Sequence, residues 1–355
     1  MLTMTTRKLP LTLLLMMVIV LAGSLIQLQP ASATFPGKNG KIVFTRNIAF
    51  SAVDYEIFTV NPDGSGLTQL TFTGVGVRNT EPRWSADGTK IVFQRMGSGQ
   101  STIWVMNADG SGQTQVTHPT AGISNYHPAF SPDGSKIVFQ NHSSGPDQIW
   151  VTNIDGTHQK ALTTGPDPDS EPVWSPDGSR ITFIRETPEA HIFVMNAADG
   201  SGQTDVSKDP NANDYSPEWS PDGRMIAFRS VPSGGIWVMN DDGSGRKQLS
   251  TPDVSHEDLE PAWSPDGAKI AFARLQGGSI WVMNSADGSN PVDITHLQTR
   301  SETDEDPNWQ PLFANPVGGV VVPTDKLELL APFLAMAGLI VAVSAAVVVK
   351  RRKIP

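Results

Sequence analysis

The chain has 355 residues, 36 of them acidic and 26 basic, for a net charge of −10. It contains no cysteine, which excludes disulfides and thiolate metal sites. Its acidity excludes a phosphate-binding surface spread over the whole molecule. Glycine (32) and proline (28) are abundant, as expected of many short strands joined by tight turns.

In chain order, Arg7-Lys8 precede an apolar run from Leu9 to Leu28, and Ala31-Ser32-Ala33 follow. A positive start, an apolar middle and a small-x-small site read as a secretory signal peptide over 1–33, cleaved after Ala33. The alternative is an uncleaved membrane anchor, since the run is long for a signal.

From residue 36 onward one phrase recurs. It reads Trp174-Ser175-Pro176-Asp177-Gly178, and again Trp219-Ser220-Pro221-Asp222-Gly223 and Trp263-Ser264-Pro265-Asp266-Gly267. Looser copies run from Trp84 to Gly88 and from Phe130 to Gly134, so the glycines recur every 44–46 residues. Such a period signifies a repeat architecture. The phrase itself is a tight turn: proline presets φ and glycine supplies the left-handed residue that closes a hairpin. A β-branched run such as Lys90-Ile91-Val92-Phe93 follows each copy, then a variable loop. A strand of the type Ile103-Trp104-Val105-Met106-Asn107 comes next, then a second tight turn such as Asp109-Gly110-Ser111-Gly112, and a short last strand. One unit is therefore four antiparallel strands, which is a propeller blade.

The first unit, opening at Asn39-Gly40-Lys41, lacks its first strand. The missing strand appears at the far end as Asp306-Pro307-Asn308-Trp309, in phase with Trp263. The expected fold is all-β: six four-stranded blades, with the ring closed by a C-terminal strand that completes the first blade and leaves no free sheet edge. The nine tryptophans fall on two repeated positions and are assigned to packing between blades.

The residue before the proline of each first strand is Glu81, His127, Glu171, Ser216, Glu260 or Asp306. Arg95, Asn141, Arg185, Ser230 and Arg274 stand fourteen residues after the first five. Around the hairpin these positions come nearly opposite each other. The expectation is a set of structural ion pairs, Glu81–Arg95, Glu171–Arg185 and Glu260–Arg274, with Asp306–Arg46 locking the ring.

Repeated Pro-x-Trp-Ser-Pro-Asp-Gly together with Ile-Trp-Val-Met-Asn resembles the TolB-like six-bladed propeller family, a WD40-like Pro-Asp repeat, over residues 36–311. The resemblance implies the fold and a habit of binding protein partners.

Beyond the repeats, 312–328 form a linker. Residues 329–349 carry no charge and are long enough to span a bilayer, and Lys350-Arg351-Arg352-Lys353 begin a basic tail over 350–355. The positive-inside rule keeps that tail in the cytoplasm and places the propeller outside the cell, on a single-pass membrane anchor.

In a four-stranded blade the tight turns share one face, and the variable loops and blade-to-blade links share the other. Binding is expected on the variable side. The links 72–81, 118–127, 164–171, 208–216, 251–260 and 297–306 carry fourteen acidic and three basic residues. The expected partner is thus a protein or peptide of basic character, met by a rim of Tyr126, His127, Asp169, Asp214, Tyr215, His256, Glu257, Asp258, Asp304 and Glu305. No cofactor is called for; among metals, calcium suits hard carboxylate oxygens. The seven histidines show no zinc spacing, and Gly-x-Ser-x-Gly is absent, so no catalysis is expected. The rival reading is a metal-dependent lactonase-like or lyase-like activity in the central channel.

Overall fold

The computed structural model describes residues 37–48, 54–252, 256–275, 277–297 and 303–312. The chain divides into two compact units, 1–313 and 314–355, and every described residue belongs to the first. The signal segment 1–33, the linker after Leu312, the apolar span 329–349 and the basic tail lie outside the described residues. Among the described residues no helix is long and apolar enough to cross a membrane.

The regular structure among these residues is entirely β. The first repeat supplies β1 (Lys38–Asn47), β2 (Tyr55–Val60) and β3 (Thr68–Gln69). The second supplies β4 (Arg78–Trp84), β5 (Lys90–Gly97), β6 (Gln100–Asn107) and β7 (Thr114–Gln115). Then follow β8 (Ser124–Phe130), β9 (Lys136–His142), β10 (Gln148–Asn153) and β11 (Lys160–Ala161), and β12 (Asp169–Trp174), β13 (Arg180–Glu186), β14 (Ala190–Asn196) and β15 (Thr204–Asp205). The last groups are β16 (Asn213–Trp219), β17 (Met225–Val231), β18 (Gly235–Asn240) and β19 (Lys247–Gln248), then β20 (Asp258–Trp263), β21 (Lys269–Arg274), β22 (Ser279–Asn284) and β23 (Val292–Asp293), and finally β24 (Asp304–Leu312).

Strands β8 to β23 form four antiparallel four-stranded sheets, each made of consecutive strands. The remaining eight form one sheet in which β24-β1-β2-β3 and β4-β5-β6-β7 are joined by a single parallel bridge, Tyr55 to Arg78. The far-end strand β24 pairs antiparallel with β1, with Ile42 opposite Trp309 and Val43 opposite Asn308. The first strands β4, β8, β12, β16, β20 and β24 each pack on the next, and β24 packs on β4, so they enclose an axis.

The Lys-Ile-Val-Phe pattern is buried on both faces because each sheet is sandwiched by its neighbours. Ile91 and Phe93 of β5 pack with Val43 and Ile57 of the preceding repeat, while Val92 between them packs with Phe130 and Ile137 of the following one. The same exchange closes at the join, where Ile42, Phe44 and Trp309 pack with Ala271, Ile280 and Ile294. Trp84, Trp174, Trp219, Trp263 and Trp309 all lie in these inter-sheet clusters.

The recurrent turn takes the same form in each copy. In the Trp174 copy, the Asp177 carboxylate accepts from the Ser175 hydroxyl at 2.6 Å and from the Ser179 amide at 3.0 Å. The second tight turn also seats one repeat on the last. A Cβ on Gly243, at φ +87°, would lie 1.8 Å from the carbonyl oxygen of Val206. The equivalent contact at the join is Gly64 against Ile294, at 2.7 Å.

The ion pairs differ from the sequence expectation by two residues. Arg46 pairs with Asp304 through two hydrogen bonds, 2.6 and 2.8 Å, and Asp306 is not its partner. Arg185 pairs with Asp169 and Arg274 with Asp258, in place of Glu171 and Glu260. Arg95 donates to Asn79 and Gln113 in place of Glu81. The cause is a β-bulge in each inner strand. In β4 the register runs Asn79 to Arg95 and Thr80 to Gln94, then resumes with Arg83 to Val92. Glu81 and Pro82 together oppose Phe93, which moves the residue opposite the arginine one position upstream, from Thr80 to Asn79, two residues before Glu81.

The join rests on a buried charge pair, Arg46 at 7% and Asp304 at 1% exposure. Asp304→Ala strands the guanidinium and is expected to cost about 3–5 kcal/mol. Asp287→Ala, in an exposed turn, is expected to cost about 1 kcal/mol or less. Urea unfolding of the two variants checks the difference.

Candidate functional site

The bulge decides what faces the axis. Glu81, His127, Glu171, Ser216, Glu260 and Asp306 all adopt left-handed backbone conformations, with φ between +49° and +55°. For residues with a Cβ this is strained, on the order of 1–2 kcal/mol each, and the fold repeats it around the whole circuit. The six side chains line a cavity of about 120 Å³ at the axis.

Neighbouring strands are linked there by carboxylates accepting backbone amides. Asp306 accepts from the Glu81 N–H at 3.0 Å, and Glu81 accepts from that of His127 at 2.7 Å. Glu171 accepts from Ser216 at 2.7 Å, and Glu260 accepts from Asp306 at 2.6 Å. The steps that follow His127 and Ser216 have no carboxylate to make this bond. His127 Nε2 also lies 3.2 Å from Glu81 Oε1, and its Nδ1 is 2.7 Å from Gln140 Oε1.

Four carboxylates in one small cavity repel each other. Burial, with the neighbouring charges of Asp306 and Glu171, pushes Glu81 up to about 7 against the opposing pull of His127. Burial, then Asp306, Glu305 and Glu171, push Glu260 well above the ordinary carboxylate range. Glu305 is raised by burial and by Asp306. For His127 burial works against the charge, but Glu81 and Glu171 outweigh it and raise its pKa.

One step further along the axis stand Arg83 and Glu218, paired at 2.5 Å. Their strands, β4 and β16, are three steps apart in the circuit of six, so the pair bridges the axis. On its other side is a second cavity of about 160 Å³, lined by Trp84, Trp174, Trp219, Trp263, Trp309 and Phe130. Prolines of the recurrent turns complete that lining.

The residues expected on the rim divide into three groups. Asp169, Asp214, Asp258 and Asp304 are buried at 0–1% and neutralised by Arg185, Arg246, Arg274 and Arg46, so they are architectural and not available to a partner. Those guanidiniums also lie over aromatic rings, as Arg274 does over Phe272 and Trp281 at 5.3 and 4.5 Å. Tyr126 stacks edge-on to His142 at 6.2 Å, Tyr215 lies under Arg229, and Arg229 pairs with Glu257 at 2.6 Å. His256 is half-buried, and Glu305 is half-buried near the axis. His127 alone of the ten lines the axial cavity. Glu81, Glu171, Glu260 and Asp306, expected to be neutralised by arginine, line it instead.

Sequence reasoning passed over Arg83 and Glu218. A signal existed: between the proline and the tryptophan of each inner strand the other repeats carry Ala129, Val173, Ala262 and Asn308, so two opposite charges stand out among small or neutral residues. Among the described residues no group of three or more His, Asp or Glu side chains is arranged to hold a metal ion.

The closed circuit of sheets and its axial cavity define an all-β propeller. The chain belongs to the TolB beta propeller domain family, which its sequence matches over residues 39–313. Among solved structures it is similar to TolB from Acinetobacter baumannii, at 19% identity and a TM-score of 0.66, covering 77% of this chain and 67% of that one. It is similar to a putative TolB from Agrobacterium tumefaciens, at 19% identity and a TM-score of 0.58, covering 77% and 100%. It is also similar to an oligogalacturonate lyase in complex with manganese, at 15% identity and a TM-score of 0.52, covering 69% and 72%. No curated protein sequence matches the chain.

The raised carboxyls set a pH dependence. The folded state holds the protons of Glu81 and Glu260 more tightly than the unfolded chain does. Their contribution to stability is full below the ordinary value of 4.5 and is lost as pH rises, for Glu81 through about 7. Glu260→Gln fixes the neutral form and keeps an acceptor for the Asp306 amide. It is expected to melt roughly 2–4 °C above wild type at pH 8 and close to wild type at pH 4.5, by calorimetry. Equal melting at pH 8 contradicts the repulsion.

Proposed function

We propose that the protein is a surface-displayed, membrane-anchored propeller of six blades that binds protein or peptide partners of basic character at the acidic mouth of its channel. The blade count takes the eight-stranded sheet as two blades joined by one bridge. The surface location rests on the signal-like start, the apolar span 329–349 and the basic tail of the sequence. The observation that carries the binding role is the cluster of Glu81, Glu171, Glu260 and Asp306 at the axis, none of which forms an ion pair with an arginine among the described residues. Mutually repelling carboxylates reduce stability, and a group kept at such a cost is a candidate for function. A cationic side chain entering the mouth relieves the repulsion, and the negative field steers it there.

The second reading is a metal-dependent activity in the channel, with calcium or manganese as the ion. It is favoured by the same unneutralised carboxylates and by the fold likeness to an oligogalacturonate lyase in complex with manganese. Elemental analysis of the purified chain decides between them: stoichiometric metal supports the enzyme, and its absence supports the binding module.

The binding reading is tested with a Lys/Arg-rich peptide. Wild type is expected to bind it with an affinity that falls steeply with salt, and Glu171→Gln/Glu260→Gln to weaken it about tenfold or more by calorimetry. Unchanged affinity in the double variant contradicts the proposal.

A further inference from the structure

The acidic cavity already contains a cation. Arg83 lines it with Glu81, Glu171, Glu260 and Asp306, and reaches over the axis from β4 to Glu218 on β16. Burial opposes the guanidinium's charge, but Glu218, then Glu81 and Asp306, hold it more firmly than in water. The residues at the same position in the other inner strands are Ala129, Val173, Ala262 and Asn308, too short to reach the centre. The pair therefore spans space that its neighbours leave open and separates the acidic cavity from the tryptophan-lined one. Arg83, Glu218 and Asn308 line both cavities, which places the pair at their common wall.

We propose that Arg83 is a tethered internal ligand: its guanidinium occupies the channel as an incoming ammonium or guanidinium group would, and a cationic partner must compete with it. This deepens the binding role proposed above and rests on it for the identity of the site. Coulomb attraction between the carboxylates and a cation is shared between Arg83 and the guest. A guest that displaces the strut loses the Arg83–Glu218 pair, and one that does not is held to the outer mouth. The device thus sets both affinity and depth of entry. Arg83 is in this sense an autoinhibitory contact, and the charges facing it are Glu81 on its own strand, Glu218 on β16 and Asp306 on β24.

The test uses the full-length chain with spermidine as probe, and Arg83→Met/Glu218→Gln as the main variant. That pair of changes removes one charge of each sign, so net charge is unaltered and a gain in affinity reports the emptied channel. Spermidine is expected to bind the double variant about tenfold or more tightly than wild type at pH 8 and low salt. Arg83→Lys, which keeps a cation in place, is expected to stay close to wild type. Equal affinity in wild type and the folded double variant overturns the proposal. A measurement on the wild-type chain does not depend on the variant folding. The Arg83 Nε–H nuclear resonance, assigned from its loss in Arg83→Lys, is expected to move toward the free guanidinium position as spermidine is added. A resonance that stays in place into the millimolar range overturns the proposal. Tight binding of the basic peptide by wild type and double variant alike sinks the internal ligand and leaves the binding role standing. A gain in spermidine affinity with no peptide binding by either does the reverse.

Discussion

Each inner strand carries one two-for-one bulge at the residue before its proline, and the rest of the molecule follows from where that bulge turns the chain. Continued unbroken from the hairpin, the ladder sets Glu81, Glu171 and Glu260 opposite Gln94, Ile184 and Ala273, each one residue short of the arginine. The bulge shifts the ladder by one residue more, so that the arginine meets the residue two positions before the glutamate. It also rotates the residue before proline into left-handed backbone and toward the axis. Each strand therefore sorts two polar positions by backbone geometry alone. The upstream one is buried and hydrogen-bonded within its own sheet, and the downstream one faces the channel.

The two outcomes have different energetic characters. A buried carboxylate held by a bidentate guanidinium that also covers an aromatic face is satisfied on all sides, and removing one partner is costly. A carboxylate at the axis accepts a backbone amide of the next strand in the field of its like-charged neighbours, with His127 beside Glu81 and the Thr45 hydroxyl donating to Asp306 as added contacts. The amide bonds hold neighbouring strands together, so the ring of acids is partly structural. They do not cancel charge, and the raised pKa values of Glu81, Glu260 and Glu305 express what remains.

The architecture was legible because its signals are local and repeated. A turn phrase recurring every 44–46 residues, two-sided burial in Lys-Ile-Val-Phe and an orphan last strand at Trp309 are enough to pair β24 with β1. The assignment of Asp87, Asp133, Asp177, Asp222 and Asp266 to turn geometry also needs nothing beyond the phrase. The charge pairs were not legible, because a bulge changes register without leaving a distinct residue type behind. The proline after Glu81 is its one trace, and proline is equally common at ordinary strand ends. Exchanging which carboxylate is neutralised leaves the net charge of the links unaltered, so counting acids located the acidic side but named the wrong four residues as free. Arg83 and Glu218 escaped for another reason. Their relation is across the axis between strands 135 residues apart, and no local pattern connects them.

Departures from the repeat carry information according to whether the structure compensates them. Where the arginine is Asn141, its partner is Asn125 and the two side chains bond at 3.1 Å. Where it is Ser230, Arg246 reaches in beside β18 and pairs with Asp214, lying over Phe228 and Trp237 as the missing residue would have done. Where the aspartate is Asn79, Glu56 supplies a buried carboxylate 2.8 Å from the Asn79 amide. Each substitution between sheets is thus answered by a second one nearby, as expected where stability is the constraint. At the axis the pattern changes. His127 and Ser216 interrupt the ring of acids, and Arg83 and Glu218 add a charge pair, yet among the described residues none of the four carboxylates forms an ion pair with an arginine. Stability alone favours neutralising them, as the neighbouring arginines do for the aspartates two residues away. That the fold neutralises Asp169, Asp214, Asp258 and Asp304 with arginine and stops at the channel is the physical reason for proposing the channel as the binding site.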